Sequence, residues 1–370
     1  MVRKTRMLDE MYPPPAGGGG LSAANLMRAA QHVDVSMSWR RELAGLVRTY
    51  IDRKGDGRRL SSRTRAEHFE VLFAQFEILR AAGHRARPSF IGGRHINFLC
   101  RSYAERMTAG TLKPSTVQVY LSVLRRFCDE TGRPGLVPPT AKLFPEHAMS
   151  RSYIAQDDKS WDAAGVDFGT VFAAAAEMEP FVAMALLAQC SFGLRRQEAL
   201  CLVPLMPATD GPVHIDVVRG AKGGRKRVVP VETPEQHAAL VHLAEWVQGR
   251  DGAPGGTIGP LGLGRSLRAN LRRYAYVLES VGITRDAAGV TGHGLRAQWA
   301  LEFLERRGHV PTVRTADGKP ADLDAASRAQ VLRAYGELAL ATGHSRPSIG
   351  AAYVGALPRK RRGEIAPDED

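Results

Sequence analysis

The chain has 370 residues, which is enough for two domains with separate hydrophobic cores. Lysine and arginine number 51 against 38 aspartates and glutamates, and the formal net charge of +13 favours a polyanionic partner. No run of about 18 apolar residues exists, and no signal-like apolar stretch follows the basic start, so we expect a cytoplasmic protein that does not bind membranes.

The N-terminal 20 residues end in three prolines, an alanine and four glycines, a composition that cannot bury a core. We expect residues 1–20 to be a disordered tail. The four cysteines have no CxxC spacing and lie in apolar or helical surroundings, which predicts buried free thiols instead of disulfides or a metal site.

Apolar residues then recur at helical spacing in three consecutive segments, Phe69 to Leu79, Ile96 to Met107 and Val117 to Cys128. An ambiguous segment that we expect to be helical precedes them. Together these segments predict a small helical domain over residues 21–135. Basic side chains on its exposed faces suit contact with phosphates. These candidate DNA-binding residues are Arg63, Arg65, Arg85, Arg87, Arg94, Lys113, Arg125 and Arg126.

A proline-containing stretch without sustained periodicity, residues 136–161, is predicted to be a linker. A second domain is expected over 162–357, with a tail at 358–370. Its predicted elements are an apolar helix at Phe181 to Ala188, a second helix through Leu202, a hairpin formed by Val213 to Val218 and Arg227 to Val231, and helices at Leu267 to Val281, Leu301 to Arg306 and Ala325 to Ala341. The expected fold class is therefore mainly α with a small β-hairpin.

Two motifs in the first half of this domain carry candidate functional residues. In the segment GLRRQEAL, Arg195 lies where a loop enters a helix and can direct its guanidinium group at a phosphate, with Glu198 close enough to orient it. Lys222 lies at the glycine-flanked tip of the hairpin, where a lysine can reach a leaving oxygen as a proton donor. Taken singly, Arg195 is better explained by a surface ion pair at a helix start, and a solvated lysine on a turn is a common alternative for Lys222.

Two further motifs follow. In HGLR, His293 and Arg296 are three positions apart on one helix face, and both can donate hydrogen bonds to phosphate oxygens. The segment TGHSRPSIGAAY contains His344 and, nine positions later, Tyr353. A tyrosine hydroxyl is a poor nucleophile unless its charge is stabilised or its proton is removed.

In this order and with these internal spacings, the set resembles the active site of the tyrosine recombinase (phage integrase) family, and the segment GHSRPSIGAAYVG is most similar to integrases of integrative elements and genomic islands. The resemblance spans roughly residues 60–357. It implies a helical core-binding domain and a catalytic domain that form a clamp around DNA. It also implies catalytic roles for six residues: Tyr353, Arg195, Arg296, Lys222, His293 and His344.

By the same resemblance, Tyr353 attacks a scissile phosphate, the two arginines neutralise the transition-state charge, and neither a metal ion nor a cofactor is required. The implied partners are double-stranded DNA, a tetramer of the chain on two DNA sites, and an accessory DNA-bending protein or a second recombinase. The protein would then be associated with the nucleoid.

This chain departs from the family pattern between Arg296 and His344, which are farther apart than in compact members. We expect the extra residues to form a surface loop between Gly308 and Ala326, and Trp299 to fill the core. Two alternatives remain open. One is a type IB topoisomerase-like or telomere-resolving enzyme with the same tyrosine chemistry, and the other is a DNA-binding relative without catalysis. An RNA-binding module is disfavoured, because interleaved aromatic residues are lacking.

Overall fold

The computed structural model describes residues 38–51, 60–147, 149, 153–205, 213–221, 224–251, 260–262, 264, 266–344 and 346–358. The predicted disordered tail at 1–20 and most of the predicted tail at 358–370 lie outside these residues. The chain divides into two compact units, Met1–Arg151 and Ser152–Asp370. No helix among the described residues is long and apolar enough to span a membrane.

The described part of the first unit is helical. In chain order it contains α1 (Trp39–Leu46), a π-helical turn (Val47–Ile51), α2 (Ser62–Ala81), a 3-10 turn (Pro88–Phe90), α3 (Gly93–Thr108), α4 (Pro114–Glu130) and α5 (Thr140–Leu143). The three predicted apolar stripes fall on α2, α3 and α4, and each supplies fully buried side chains such as Phe76, Tyr103 and Phe127.

The second unit contains the β-hairpin and the remaining helices. In chain order these are α6 (Phe168–Met178), α7 (Pro180–Phe192), α8 (Arg196–Cys201), β1 (His214–Val217), β2 (Arg227–Pro230), α9 (Pro234–Asp251), α10 (Leu267–Ser280), α11 (Arg285–Ala288), α12 (Gly294–Glu305), a 3-10 turn (Thr312–Arg314), α13 (Ala325–Ala341), a second 3-10 turn (Pro347–Ile349) and α14 (Ala351–Val354). The prediction of a mainly helical chain with a small hairpin is confirmed for the described residues.

The core of the second unit is built around α7, which is apolar on nearly all sides and buried along most of its length. A helix with this composition must be covered all round. The antiparallel hairpin lies at the edge of this core, with Ile215 opposite Val229 and Val217 opposite Arg227. Alternate residues of each strand are buried, so Ile215, Val229 and also Arg227 belong to the inward face.

Helix α7 ends at Gly193, whose φ of +59° is in the left-handed region that glycine tolerates. A Cβ atom at this position would lie 2.4 Å from the ring of Trp299 on α12. The backbone that leads to Arg195 is thereby packed directly on the helix that carries Arg296. Trp299 fills this space and is buried, the role expected for it.

Besides the four-residue helices α11 and α14, two longer helices of the second unit were not predicted from the sequence. Helix α6 is rich in alanine, so its apolar stripe is faint and rests on Val171 and Ala175. Helix α9 begins with a proline at its first position, the usual place for proline in a helix, and buries Leu240, Leu243 and Val247. Apolar residues on its other faces obscure that stripe.

The expected surface loop at 308–326 is only partly correct. Residues 316–319 are exposed, but Pro311 and Thr312 are buried and a 3-10 turn, Thr312–Arg314, follows Pro311. Arg314 forms ion pairs with Asp158 and Glu305, which fix this turn to the rest of the unit. The insertion is therefore part of the packed structure at its N-terminal end.

The boundary between the two units, Arg151 to Ser152, falls within the predicted linker at 136–161, and both ends of that stretch are packed. Val137 and Phe144 are buried in the core of the first unit. Trp161 is fully buried in the core of the second, where its indole N–H donates to the carbonyl oxygen of Thr291 at 2.9 Å. The prolines interrupt helices here, but the start of the stretch packs in the core of the first unit and its end packs in the core of the second.

Candidate active site

Arg296 is the most deeply buried charged residue at the candidate site, with no exposed side-chain surface. It lies in the first turn of α12, and its Nε donates to the hydroxyl oxygen of Tyr353 at 3.1 Å. Its two other nitrogens donate to the carbonyl oxygens of Gly193 and, at 2.6 Å, Thr342. Burial lowers the pKa of Arg296 to about 10, so the group remains a cation at neutral pH.

Arg195 immediately precedes α8, in an extended backbone conformation. Its backbone N–H and its Nη1 both donate to the carboxylate of Glu198 at 2.8 Å, the contact expected from the sequence. Its Nη2 donates to Nε2 of His344 at 3.2 Å. The side chain keeps 19% of its surface exposed, so the guanidinium group is oriented but still accessible.

Glu198 is the common anchor of the cationic residues. It is fully buried, accepts two hydrogen bonds from Arg227 at 2.9 and 2.7 Å, and lies 3.8 Å from Nη1 of Arg296. Burial opposes its ionisation, but the hydrogen bonds and positive charges of Arg227 and Arg195 lower the pKa of Glu198 to about 2. One carboxylate thus fixes three guanidinium groups around the site.

Arg227 is a residue of the site that was not predicted from the sequence. It begins strand β2 on the inward face, and its Nε also donates to the carbonyl oxygen of Ala341, close to the start of the His344 segment. Gly343 has a φ of +76°, and a Cβ atom added there would lie 3.1 Å from the side chain of Arg227. Arg227 is buried on the same face of the hairpin as Val229, a tertiary property that no local sequence motif marks.

Tyr353 lies on the short helix α14 and is half-buried, with its ring near two histidines. The ring centroids of His293 and His344 are 5.7 and 6.4 Å from that of Tyr353. The guanidinium carbon of Arg296 lies 5.4 Å from the same ring. Residues from α12, from the segment after α13 and from α14 therefore meet around one phenol group.

His293 precedes α12, and the turn that holds it is packed tightly against the segment before α6. A Cβ atom on Gly294 would lie 2.7 Å from the ring of Trp161, so this position requires glycine. His293 is exposed to solvent, and its ring lies near that of Tyr353. Surrounding protein atoms, and then the charges of Arg296 and Arg195, lower the pKa of His293 to about 4.

Lys222 lies outside the described residues, so its predicted role stays a prediction. The hairpin backbone leading to it is described as far as Ala221, and Gly220 (φ +76°) touches α8: a Cβ there would lie 2.7 Å from the carbonyl oxygen of Gln197. The described backbone before Lys222 therefore lies against α8, close in sequence to Arg195. Lys226, on the other side of the turn, is exposed.

The basic residues predicted to bind DNA in the first unit fall into different environments. Arg87 donates to Glu42 at 2.9 Å, and Arg125 donates to the carbonyl oxygens of Val137 and Pro138, so both guanidinium groups have internal partners. Arg85, Arg94 and Lys113 are exposed and Arg65 and Arg126 are half-buried, whereas the side chain of Arg63 lies outside the described residues. The predicted DNA contacts of this set stay predictions.

Among the residues that the structure describes, no group of three or more His, Cys, Asp or Glu side chains is placed to hold a metal ion. The described cysteines are free thiols. The positive charge at the candidate site comes from arginine side chains arranged around Glu198. Such an arrangement can bind a doubly negative oxyanion beside the hydroxyl of Tyr353.

Comparisons with known proteins identify one matching family model and solved structures of similar fold. The family model described as Integrase matches residues 156–302. Lambda integrase (75–356), as a dimer bound to a COC' core site, is similar with 14% identity and a TM-score of 0.51, over 90% of this chain and 99% of that chain. A second lambda integrase dimer bound to a COC' core site has the same identity and TM-score, over 98% and 88% of the two chains. At this identity the likeness establishes the fold, and comparison with curated protein sequences gives no match.

Proposed function

We propose that this chain is a member of the tyrosine recombinase (integrase) family and a site-specific DNA recombinase that cleaves and rejoins DNA through a 3′-phosphotyrosyl intermediate. The observation that carries the proposal is the contact between Arg296 and Tyr353, which sets the candidate nucleophile beside a buried cation. Integration, excision or resolution of a mobile element is the role that suits this chemistry.

In the proposed reaction, the hydroxyl oxygen of Tyr353 attacks the phosphorus of a scissile phosphodiester. A bond forms between that oxygen and phosphorus, the bond from phosphorus to the 5′-oxygen breaks, and a free 5′-hydroxyl leaves. Rejoining is the reverse attack by a 5′-hydroxyl on the phosphotyrosine. Each step exchanges one phosphoester for another, so the bond energy is conserved and no nucleotide cofactor is consumed.

Arg195 and Arg296 would bind the non-bridging phosphate oxygens and stabilise the charge that develops in the transition state. Arginine suits this task because its planar group donates two parallel hydrogen bonds. Their orientation by Glu198 before DNA binds supports the assignment, since groups fixed in advance need no reorganisation during the reaction.

The remaining catalytic roles concern protons. His344 would position or deprotonate the Tyr353 hydroxyl, and His293, neutral at physiological pH because of its low pKa, would donate a hydrogen bond to the phosphate. Lys222 would protonate the leaving 5′-oxygen. The approach of the hairpin to α8 at Gly220, two residues before Lys222, supports this role.

Double-stranded DNA is the proposed partner, at the nucleoid, with the basic first unit supplying salt-sensitive phosphate contacts. Each subunit offers a single candidate nucleophile, and exchange between two duplexes requires four strand cleavages. We therefore propose that four copies of the chain assemble on two DNA sites. An accessory DNA-bending protein or a second recombinase would act on this assembly.

The proposal is tested by trapping the covalent complex. A nicked duplex that contains the ends of the mobile element loses a short fragment after cleavage, so the phosphotyrosyl complex cannot be rejoined and survives denaturing electrophoresis. The wild-type protein should form this complex, and Tyr353→Phe should bind the DNA with unchanged affinity without forming it. Adduct that persists in Tyr353→Phe and disappears in Tyr335→Phe would contradict the assignment.

A further inference from the structure

The backbone that follows Tyr353 is held by the insertion between α12 and α13. The N–H of Ala356, three residues after the tyrosine, donates to Oγ1 of Thr312 at 2.7 Å. The carbonyl oxygen of Ala356 accepts a longer hydrogen bond, 3.4 Å, from the hydroxyl of Tyr335 on α13. Thr312 is 5% exposed, so this contact is protected from competition by water.

The contact requires an unusually close approach of two backbone segments. Gly355 has a φ of +90°, and a Cβ atom at this position would lie 2.0 Å from Oγ1 of Thr312 and 3.1 Å from the backbone nitrogen of Val313. A residue with a side chain at 355 could not pack here without displacing the turn. The end of α14 and the Thr312–Arg314 turn therefore fit against each other only with glycine at position 355.

The turn itself is fixed to the helix that carries Arg296. Arg314 donates from Nη1 to both carboxylate oxygens of Glu305 at 2.8 and 2.9 Å, and from Nε to Asp158 at 2.9 Å. Glu305 is the last residue of α12, whereas Arg296 is in its first turn. Helix α12 thus positions both the guanidinium group that contacts Tyr353 and the turn that holds the backbone after Tyr353.

The other end of α14 is held separately. The N–H of Ala155 donates to the carbonyl oxygen of Ala351 at 2.8 Å. Ala155 is three residues from Asp158, the second carboxylate bound by Arg314. Helix α14 is thereby fixed at both ends, and Arg314 links the two segments that hold it. These contacts matter because a helix of four residues has little stability of its own.

We propose that Thr312 is a positioning residue for the nucleophile: its hydroxyl fixes the backbone after Tyr353 and so sets the tyrosine oxygen relative to Arg296. This inference rests on the proposed function and adds a residue from the insertion. Phosphoryl transfer depends steeply on alignment of the attacking oxygen, so a displaced helix slows attack while the phosphate-binding arginines stay in place.

The test compares variants at Thr312 on the nicked suicide DNA, at saturating protein and in a single turnover. Thr312→Val keeps the shape and removes the acceptor, and should slow adduct formation by about 10- to 100-fold. DNA affinity and thermal unfolding should stay close to wild type. Thr312→Ser restores the oxygen and should recover most of the rate. Thr315→Val removes a hydroxyl that, in the described structure, donates to the carbonyl oxygens of Thr312 and Lys319 and not to the backbone after Tyr353, and it should cleave normally.

A second pair of variants approaches the contact from the opposite side. Gly355→Ala introduces the clash with Thr312 and should reproduce the slow cleavage with normal DNA affinity. Gly318→Ala is its matched control, because Gly318 also has a positive φ (+64°) but no atom within 4 Å of an added Cβ. It adds backbone strain to the same insertion without touching α14, and should cleave at the wild-type rate.

Several results would overturn the inference. A wild-type cleavage rate in Thr312→Val would do so, as would equal losses of rate in Thr312→Ser and Thr312→Val, or an equal loss in Thr315→Val. Loss of DNA binding in Thr312→Val would also do so, since the hydroxyl would then maintain the fold instead of aligning Tyr353. Failure of the proposed function has a different signature. The wild-type protein itself would then form no adduct, whereas failure of this inference alone leaves wild-type cleavage intact.

Discussion

Nε of Arg296 donates a hydrogen bond to the hydroxyl oxygen of Tyr353 across 3.1 Å, although 57 positions separate the two residues in the sequence. The arginine is fully buried and held by two backbone carbonyl groups, so its position is determined by the fold. A phosphate bound by this guanidinium group would lie next to the tyrosine oxygen. This proximity is the structural basis of the proposed reaction.

Substitution of Arg195 should separate catalysis from DNA affinity. Arg195→Ala removes a group proposed to bind the phosphate in the transition state, and we expect cleavage to slow by about 10²- to 10³-fold. Affinity should fall little, because it comes from many dispersed phosphate contacts that weaken with salt. Single-turnover cleavage and binding titrations on the same DNA measure the two effects.

The matched control is Arg196→Ala. Arg196 is the next residue, exposed, and stacks beside Tyr274 without contacting Glu198 in the described structure. It should cleave at a rate close to wild type. Equal losses in the two variants, or lost DNA binding with normal cleavage at saturating protein in Arg195→Ala, would assign Arg195 to DNA positioning instead of catalysis.

Arg227 should matter mainly for stability. It shares a fully buried carboxylate with Arg195, and removal of one member of a buried ion pair typically costs about 3–5 kcal/mol. We expect Arg227→Met to lower the free energy of unfolding by this amount in urea titrations followed by tryptophan fluorescence. Arg225→Met, an exposed neighbour on the same hairpin, should change it little. A loss no larger in Arg227→Met than in the control would contradict a structural role for this arginine.

Whether a residue of this site can be predicted from the sequence depends on whether it lies in a recognisable local motif. Arg195, Arg296, His344 and Tyr353 each lie in a short motif with fixed internal spacing, and the structure brings all four together. Arg227 has no such motif, since it is one of several basic residues in GGRKR. Only its inward position on β2 and its bonds to Glu198 distinguish it, and both are tertiary properties.

The insertion illustrates a second limit. Its glycines and prolines predict a surface loop, and residues 316–319 are indeed exposed. The burial of Thr312 arises from contacts with Gly355 and Ala356, more than 40 positions later, and no local pattern encodes a pairing at that distance. Helix α9 was missed for the opposite reason: its local signal was present, but apolar residues on several faces blurred the periodicity.

The titration of His293 gives a pH-dependent prediction. Its pKa of about 4 in the folded protein lies below the value of about 6.5 expected for an unfolded chain. As the pH falls from about 6.5 towards 4, the unfolded chain binds a proton that the folded protein does not, so this histidine lowers folding stability across that window. An NMR titration of its ring proton, assigned with His293→Gln, should give a midpoint near 4. A midpoint near 6.5 would contradict the packing described around the imidazole.

Lys222 is tested through the leaving group. A 5′-bridging phosphorothiolate expels a thiolate, which needs no proton, so loss of a general acid should matter little on this substrate. Lys222→Ala should therefore be severely slow on ordinary DNA and close to wild type on the sulfur-substituted DNA. Arg195→Ala should be slow on both. Equal impairment of Lys222→Ala on the two substrates, with rescue seen in Lys226→Ala, would transfer the role to Lys226.

The central claim is that Tyr353 is the nucleophile, and mass spectrometry of the trapped protein–DNA complex tests it most directly. After nuclease and protease digestion, the account predicts a 3′-phosphonucleotide on the peptide that contains Tyr353. Tyr335, its nearest alternative in the sequence, is buried, and burial raises its pKa to about 12, so its peptide should be unmodified. A nucleotide on Tyr335 or on any residue other than Tyr353 would contradict the account.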